Sequence, residues 1–264
     1  MDKRVLLVNG ASSDIGCELI RNIADNYDCV LAHYNSDSSA LVSLREKFGT
    51  EKIHLLKADF SDPESVLAMI GDIRSSGLIP SHIVHLPSPR AENIHFKDCS
   101  WDKFSAGIDT SFRSAVEILR AFVPDMAKNR YGRVVFMLTA YVTGEPPKFQ
   151  TPYVTCKYAL LGLMKSLASE YSSKGVTFNG VSPEMMNTKF LKGTSHLILE
   201  KNAEESPLKR LLLPSDVVPY FTYLLSDEAQ NVTGTNITVT GKDIAEAKNN
   251  EQLYSLSEIY KKDT

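Results

Sequence analysis

The sequence has few of the features that mark a secreted, metal-binding or membrane protein. Its four cysteines are far apart and form no C-x-x-C pair, and no apolar run is long enough to span a bilayer. We also recognise no signal peptide. We therefore expect a cytoplasmic protein without disulfides, without a metal site and without a membrane segment.

The charged residues form no polybasic block. The 29 lysines and arginines and the 32 aspartates and glutamates are scattered along the chain, and the formal net charge is -3. The sequence therefore shows no basic patch that would bind nucleic acids or anionic membranes electrostatically. The 264-residue chain is 43% apolar and can bury a sizeable core. A small-molecule partner is the better expectation.

Short apolar runs alternate with segments of helical spacing. The first run, K-R-V-L-L-V-N-G, stops at Gly10, and apolar residues then recur at helical spacing. Further strands are predicted at 29–33, 53–56, 83–86, 133–138 and 177–181, and further helices at 40–48, 63–73, 101–128 and 153–172. This alternation predicts one α/β domain, a Rossmann-like doubly wound parallel sheet with helices on both faces. Such sheets bind ligands beyond the carboxyl ends of their strands.

Two segments fit this alternation poorly. Residues 189–207 mix apolar and polar side chains, which is typical of a substrate lid. Phe190 and Leu197 in this lid suggest a partly apolar substrate, although the same residues would serve equally for packing. Residues 242–264 are highly charged, and we interpret them as a surface helix or frayed end. The domain is thus predicted to span residues 1–241.

The turn after the first predicted strand is a candidate phosphate site. A glycine turn that leads into a helix presents unpaired amides and the positive end of the helix dipole to an anion. The alternative is a tight connection that binds nothing. The candidate cofactor contacts in this turn are Gly10, Ser12, Ser13, Asp14, Ile15 and Gly16.

The stretch T-P-Y-V-T-C-K places Tyr153 four residues before Lys157, so both side chains lie on one helix face. A phenol keeps its proton until about pH 10, and a nearby ammonium lowers that pKa toward neutrality. Such a phenol can act as a general acid or base. The alternative is an ordinary surface pair. The position of the pair, after a strand predicted to end near Leu138, favours a proton-transfer site.

These motifs, in this order, resemble those of the short-chain dehydrogenase/reductase family, and more closely the group that includes the β-ketoacyl-carrier-protein reductases. The resemblance covers residues 3–241. The family's T-G-x-x-x-G-I-G appears as N-G-A-S-S-D-I-G, its Y-x-x-x-K as Tyr153 and Lys157, and its P-G-x-x-x-T as P-E-M-M-N-T. Asp59 matches the acidic residue that meets adenine. By the same resemblance, further cofactor contacts are expected at Phe60, Leu86, Pro183, Met186 and Thr188.

The resemblance implies an NAD(P)-dependent oxidoreductase that interconverts a ketone and a secondary alcohol. In that family the tyrosine protonates the carbonyl oxygen while the nicotinamide delivers hydride, and the lysine lowers the tyrosine pKa and holds the ribose. A serine polarises the carbonyl, but its position here is Ala140, and losing one such donor typically costs about 10²- to 10³-fold in turnover. Thr139 is the candidate replacement. Ser111 stands where the family has an asparagine that orders a proton-relay water.

The expected cofactor site departs from the family pattern as well. The family's N-N-A-G is matched by H-L-P-S, so Pro87 removes an amide donor beside the nicotinamide ribose. Glu184 replaces the glycine of P-G and narrows the nicotinamide end. Asp14 replaces the middle glycine of the turn, where its carboxylate competes with a pyrophosphate for the helix dipole.

The end of the second predicted strand bears on the choice of cofactor. Tyr34 stands where NAD-preferring relatives have an acidic residue for the ribose 2′-hydroxyl, and Asn35 and Ser36 follow it. This favours NADP(H) over NAD(H). However, the usual arginine of the glycine loop is Ser13, so a 2′-phosphate loses its expected charge partner.

Two hypotheses remain open. The first is a ketoreductase-like enzyme in which Tyr153, Lys157, Thr139 and Ser111 form a weakened active site. The second is a catalytically inactive pseudoenzyme or scaffold subunit. The resemblance also implies a homodimer or homotetramer, built through the helix at 153–172 and the helix that contains Ser111. A heteromer with an active relative is the variant that suits the second hypothesis.

Overall fold

The computed structural model describes residues 3–240, which form one sheet covered by helices. The strands are β1 Val5–Asn9, β2 Cys29–Tyr34, β3 Ile53–Lys57, β4 His82–His85, β5 Gly132–Met137, β6 Val176–Pro183 and β7 Asn236–Val239. The helices are α1 Asp14–Ile23, α2 Ser39–Phe48, α3 Pro63–Ser76, α4 Trp101–Gly107, α5 Ser114–Lys128, α6 Thr151–Tyr171, α7 His196–Glu205 and α8 Pro214–Leu225.

All seven strands are parallel, in the order β3-β2-β1-β4-β5-β6-β7. The chain builds one half of the sheet outward from β1, returns to pair β4 with β1, and then builds the other half. The strand order therefore reverses between β1 and β4, and a crevice opens there at the carboxyl ends of the strands. The predicted doubly wound parallel sheet is confirmed.

Each face of the sheet has its own apolar core. Helices α1, α2 and α8 pack on one face, and α3, α5 and α6 pack on the other. Successive residues of β1 supply both cores: Leu6 faces the first and Leu7 the second. A strand buried on both faces must be apolar at every position. This is why the strands appear in the sequence as short unbroken apolar runs.

Some element boundaries differ from the prediction. The strands predicted at 83–86 and 133–138 begin and end one residue earlier, at His82–His85 and Gly132–Met137. The stretch predicted as helical at 101–128 is helical throughout, but the π-helical segment Ile108–Arg113 divides it into α4 and α5. A π-helical turn inserts one residue into the ladder and leaves the apolar spacing on either side intact, so periodicity does not reveal it.

The predicted lid at 189–207 holds a short 3₁₀ turn, Lys189–Leu191, and α7. Helix α7 has no buried residue, and Leu197 is 73% exposed. The predicted charged tail, residues 242–264, lies outside the described residues. Within residues 3–240, no helix combines the length and the hydropathy that crossing a bilayer requires.

Candidate active site

The first two turns of α6 carry the tyrosine and lysine of the sequence motif. Helix α6 begins at Thr151 with Pro152 in its first turn, where proline is well tolerated. Both side chains face inward: Tyr153 is 9% exposed and Lys157 is 1% exposed. They are therefore not an ordinary surface pair, and the Lys157 ammonium lies 5.8 Å from the centre of the Tyr153 ring.

Lys157 connects α6 to the carboxyl end of the sheet. Its Nζ donates a hydrogen bond of 2.9 Å to the carbonyl oxygen of Met137, the last residue of β5. Burial lowers the pKa of Lys157 to about 8, because a charged ammonium loses its hydration there. The ammonium thus titrates much nearer to neutrality than an exposed lysine.

The phenol of Tyr153 shows the opposite effect. Burial raises the pKa of Tyr153 to about 12, and hydrogen bonds with the hydroxyls of Thr139 and Ser88 oppose this rise without overcoming it. The expected lowering of the phenol pKa by Lys157 is therefore wrong for this structure, because desolvation dominates. Tyr153 is protonated at neutral pH, which is the state of a proton donor.

Thr139 lies two residues after the end of β5 and is 5% exposed. Its hydroxyl oxygen accepts a hydrogen bond of 3.5 Å from the amide of Tyr141, and the same hydroxyl bonds with Tyr153. Ala140, at the position of the family's serine, begins the 3₁₀ turn Ala140–Val142 and carries no donor. The hydroxyl beside the phenol therefore comes from the neighbouring position in the chain.

Ser111 lies in the π-helical segment and is fully buried. Its hydroxyl interacts with the weakly polar thiol of Cys156 and has no other partner among residues 3–240. Its carbonyl oxygen accepts a hydrogen bond of 2.8 Å from Nε2 of His85. The other ring nitrogen of His85, Nδ1, lies 3.3 Å from the side-chain amide nitrogen of Asn9. His85 is thus a packed residue that joins β1 and β4 to the π-helical segment.

The glycine turn between β1 and α1 is tightly closed. Gly10 has a φ of +76°, and a Cβ on Gly16 would lie 2.6 Å from the carbonyl oxygen of Ala11. Ser13 caps α1 by accepting from the amide of Gly16, and its own hydroxyl donates to the carbonyl of Gly10. Ser12 and Ile15 lie in the same turn. This compact start of a ten-residue helix fits the phosphates of a dinucleotide.

Asp14, the departure within this turn, contacts the predicted lid. Its Oδ2 accepts a hydrogen bond of 2.6 Å from the backbone amide of Lys189, and its Oδ1 lies 4.0 Å from the Lys189 ammonium. The Asp14 side chain is 29% exposed. The carboxylate therefore links Lys189, the first residue of the segment predicted as a lid, to the glycine turn, and this contact was not predicted.

The residues predicted on the adenine side lie beyond β2 and β3. Asp59 accepts hydrogen bonds from the amide and hydroxyl of Ser61, which hold its pKa below the ordinary range. Phe60 stacks on His33 at 3.8 Å between ring centres. Tyr34 ends β2 and is half-buried, whereas the next two residues are exposed. These two are Asn35 and Ser36.

The residues predicted on the nicotinamide side lie around the ends of β1, β4 and β6. The amide of Leu86 donates to the carbonyl of Asn9, and Pro183 is the last residue of β6. Met186 forms an isolated bridge with Leu212, and Thr188 Oγ1 donates to the carbonyl of Met186 at 3.5 Å. Within residues 3–240, no group of three or more His, Cys, Asp or Glu side chains could hold a metal ion.

Two neighbours of the site were missed in the sequence. Ser88 entered the sequence analysis only as part of H-L-P-S, where Pro87 alters the backbone. In the structure its hydroxyl bonds with Tyr153. His33 accepts the amide of Gly10 at 2.9 Å through Nδ1, so β2 holds the glycine turn in position. A polar residue at the end of a buried strand was the available signal for His33.

Comparison with known proteins decides the family. Residues 10–241 match the family model described as enoyl-(acyl carrier protein) reductase. The chain belongs to the short-chain dehydrogenase/reductase family. It is 26% identical over 240 residues to the 3-oxoacyl-[acyl-carrier-protein] reductase of Staphylococcus aureus, which covers 89% of this chain and 96% of that protein.

Solved structures of a dehydrogenase and of a reductase share the fold. A 4-hydroxyisoleucine dehydrogenase complexed with NADH matches with a TM-score of 0.82 at 22% identity, covering 92% of this chain and 99% of that one. YwfH, an NADPH-dependent reductase involved in bacilysin biosynthesis, matches with a TM-score of 0.80 at 20% identity, covering 91% and 98%. The chain thus shares its fold with these two structures over about nine-tenths of its length.

Proposed function

We propose that the protein is an NAD(P)-dependent oxidoreductase that interconverts a ketone and a secondary alcohol. The observation that carries the proposal is the buried phenol of Tyr153, hydrogen-bonded to the hydroxyls of Thr139 and Ser88, with Lys157 one turn away. Ketoreductase relatives support the same chemistry. A bound nicotinamide would supply the hydride for reduction or accept it in oxidation.

Each of these side chains has a distinct task. Tyr153 gives its proton to the carbonyl oxygen in reduction and takes it back in oxidation. Thr139 donates a hydrogen bond to the oxygen on which negative charge develops, in place of the family's serine. Lys157, held by the Met137 carbonyl, stabilises the phenolate that remains after the proton has left.

The cofactor site is proposed from the same residues as in the sequence prediction. The amides of the turn from Gly10 to Gly16 would hold the diphosphate, and Asp59 would meet the adenine. Thr188 would lie at the nicotinamide end. We propose NADP(H) as the preferred cofactor, because Tyr34 stands in place of an acidic residue and is followed by two exposed polar residues. Fold relatives include proteins described with NADPH and with NADH.

An inactive scaffold subunit is the second candidate function. It is favoured by the carboxylate of Asp14, which lies at the start of α1, where a diphosphate would bind, and is already bonded to Lys189. The absence of a donor at Ala140 points the same way. Such a subunit would retain the fold and pair with an active relative.

Fluorescence titration with NADPH and NADH separates the two candidates. An enzyme binds at least one cofactor with a Kd in the micromolar range, and we expect NADPH to bind more tightly. The matched variant is Asp14→Gly, which removes the carboxylate and its contact with the lid. If the native protein binds neither cofactor while Asp14→Gly binds one, the enzyme proposal is wrong and the scaffold subunit replaces it.

The assembly and cellular location are also proposals. We propose a homodimer or homotetramer in which the exposed sides of α5 and α6 meet a second copy, and Tyr158 on α6 is 45% exposed. Sedimentation equilibrium of the native protein and of Tyr158→Glu tests this assembly. A cytoplasmic location is supported by the four cysteines, which are free.

A further inference from the structure

A cavity of about 310 Å³ adjoins the phenol of Tyr153. It lies between the loop after β4, helix α4 and the first turn of α6, and its size is at the lower end of the range for small-molecule sites. Pro89 and Pro152 contribute apolar walls, and Tyr153 lines it beside them. The proposed proton donor therefore opens onto a space that can hold a small organic molecule.

The charges around this cavity leave one cation unopposed. Lys103 and Glu92 both line it, and they form an ion pair of 2.6 Å with each other. Arg90 also lines it, and its guanidinium has no hydrogen bond or ion pair to any residue between 3 and 240. Arg90 is exposed at the surface beside the cavity, and an arginine fork that no carboxylate of the protein neutralises suits an anionic oxygen group.

The loop that carries Arg90 is held against the helix that carries Tyr153. The amide of Ile94 donates to the carbonyl of Phe149 at 2.8 Å, and the side chains of Gln150 and Asn93 bond at 3.1 Å. On its other side, Pro89 packs closely on Gly107 of α4, where an added Cβ would lie 3.0 Å from the proline ring. The backbone that carries Arg90 is thus fixed relative to the phenol of Tyr153, which keeps the guanidinium within a limited range of the proton donor.

We infer that this cavity is the substrate site and that it takes small carbonyl compounds bearing one anionic oxygen group, a carboxylate or a phosphate monoester. Arg90 binds the anionic group, the apolar walls hold the carbon chain, and the carbonyl oxygen meets Tyr153. Arg90 is a specificity residue, since the anionic group takes no part in proton or hydride transfer. This inference rests on the proposed function.

Matched pairs of anionic and neutral carbonyl compounds test the inference. The panel consists of 3-oxo and 4-oxo acids of four to eight carbons with their methyl esters, and dihydroxyacetone phosphate with dihydroxyacetone. In the native protein with NADPH, we expect kcat/KM to be at least about 10-fold higher for the anionic member of a pair. The acids and the phosphate form separate arms, so the preferred arm identifies the group.

The variant Arg90→Gln should lower the ratio of anionic to neutral kcat/KM toward one, mainly by raising KM for the anion. Arg90→Lys should restore part of the ratio, since it keeps the charge and loses the fork. The control Arg21→Gln, on the far end of α1, removes a surface arginine that does not line the cavity and should leave the ratio unchanged.

Three results would overturn the inference. They are equal use of both members of each pair, an unchanged ratio in Arg90→Gln, and no anion of the panel detected on the native protein by saturation-transfer difference NMR with NADPH present. If neutral ketones are still reduced in a manner that depends on Tyr153, the proposed function survives and only the anionic substrate class is wrong. Failure to bind either nicotinamide cofactor would instead remove the proposed function itself.

Discussion

At the scale of single residues, burial separates the pKa values of Tyr153 and Lys157. Both side chains are almost fully enclosed, and desolvation disfavours the charged form of each. The phenol therefore keeps its proton to about pH 12, while the ammonium loses its proton near pH 8. In the free protein Tyr153 thus holds its proton tightly, whereas Lys157 loses its proton readily.

This separation predicts a pH dependence of ketone reduction. Lys157 must be protonated to stabilise the phenolate, and the protonated fraction falls as the pH rises through about 8. We expect kcat/KM for reduction to be constant from pH 6.5 to about 7.5 and to fall tenfold for each pH unit well above 8. A steady-state pH series measures this, with Lys157→Arg as the control that stays charged. A flat profile to pH 9.5 in the native protein would contradict the assignment.

Thr139 provides a second prediction at this scale. Replacing its hydroxyl with a methyl in Thr139→Val should lower kcat by about 10²-fold or more, as for the loss of other donors to a developing oxyanion. Thr139→Ser keeps the hydroxyl and should recover most of the activity. If Thr139→Val retains more than half of the native kcat while Ala140→Ser raises it, the polarising donor is not Thr139.

The sequence was informative about these residues because their relation is local. Tyr153 and Lys157 lie on one helix face whatever the tertiary structure, so their spacing alone predicted the pair. Thr139 was named only through the family resemblance, which places the serine position at Ala140, directly after Thr139. The pKa of Tyr153 was predicted wrongly, because the extent of burial depends on the loop that carries Ser88 and on the packing of α6. Neither can be derived from a four-residue spacing.

At the scale of elements, the segment predicted as a lid, residues 189–207, and the glycine turn share one contact. The amide of Lys189 donates to Asp14, 175 positions earlier in the chain, with a distance of 2.6 Å. Lys189 is the first residue of its 3₁₀ turn, and Thr188 before it is extended, with φ of -144° and ψ of 165°. Proline is well tolerated at the first position of a helical turn, and it favours an extended residue before it. Lys189→Pro therefore removes the amide without strain.

The variant Lys189→Pro should therefore loosen the lid. It removes the amide donor and the ammonium, whereas the control Lys189→Ala removes only the ammonium. Since a hydrogen bond to a charged group contributes about 1.5 to 3 kcal/mol, amide hydrogen exchange across residues 190–195 should be about 10-fold faster in Lys189→Pro. The alanine variant should exchange nearly as slowly as the native protein. Equal rates in all three proteins would show that this contact does not hold the lid.

No sequence pattern predicts this contact, since it depends on where the segment that follows β6 passes the start of α1. The sequence gives no sign of the contacts of His85 either. Its ring, on β4, contacts Asn9 of β1 and the carbonyl of Ser111 in the π-helical segment. Sequence periodicity predicted the elements themselves, because each buries an apolar face. It missed the π-helical segment around Ser111, whose extra residue does not disturb that pattern.

At the scale of the whole molecule, three buried histidines make the fold sensitive to acid. Burial lowers the pKa of His33 to about 4 and those of His82 and His85 to about 3. Each is neutral in the folded protein below pH 6.5, whereas the unfolded chain takes up a proton there. The unfolded state therefore binds more protons between pH 6.5 and 4, and the free energy of unfolding falls as the pH falls.

We expect each of these histidines to remove up to about 1.4 kcal/mol from the free energy of unfolding for every pH unit between pH 6.5 and its folded-state pKa, which is about 4 for His33 and about 3 for His82 and His85. Urea unfolding at several pH values from 7 to 4.5 measures the slope. The variant His82→Asn is the test, because His82 lies at the start of β4, away from the candidate site. Its slope should be smaller by about one proton, whatever its stability at pH 7. An unchanged slope would mean that His82 is not neutral in the folded state.

The observed strand order brings Tyr153, Thr139 and the glycine turn to the carboxyl ends of the strands. Our central claim is that hydride and proton transfer occur there. The most direct test is to incubate the native protein with NADPH deuterated at C4 and with the panel of carbonyl compounds. Mass spectrometry of the alcohol products then reports the transfer. The account predicts one deuterium on the carbinol carbon with the native protein and at least about 10²-fold less product with Tyr153→Phe. Deuterated product formed equally by both proteins, or by neither while the cofactor is bound, would contradict it.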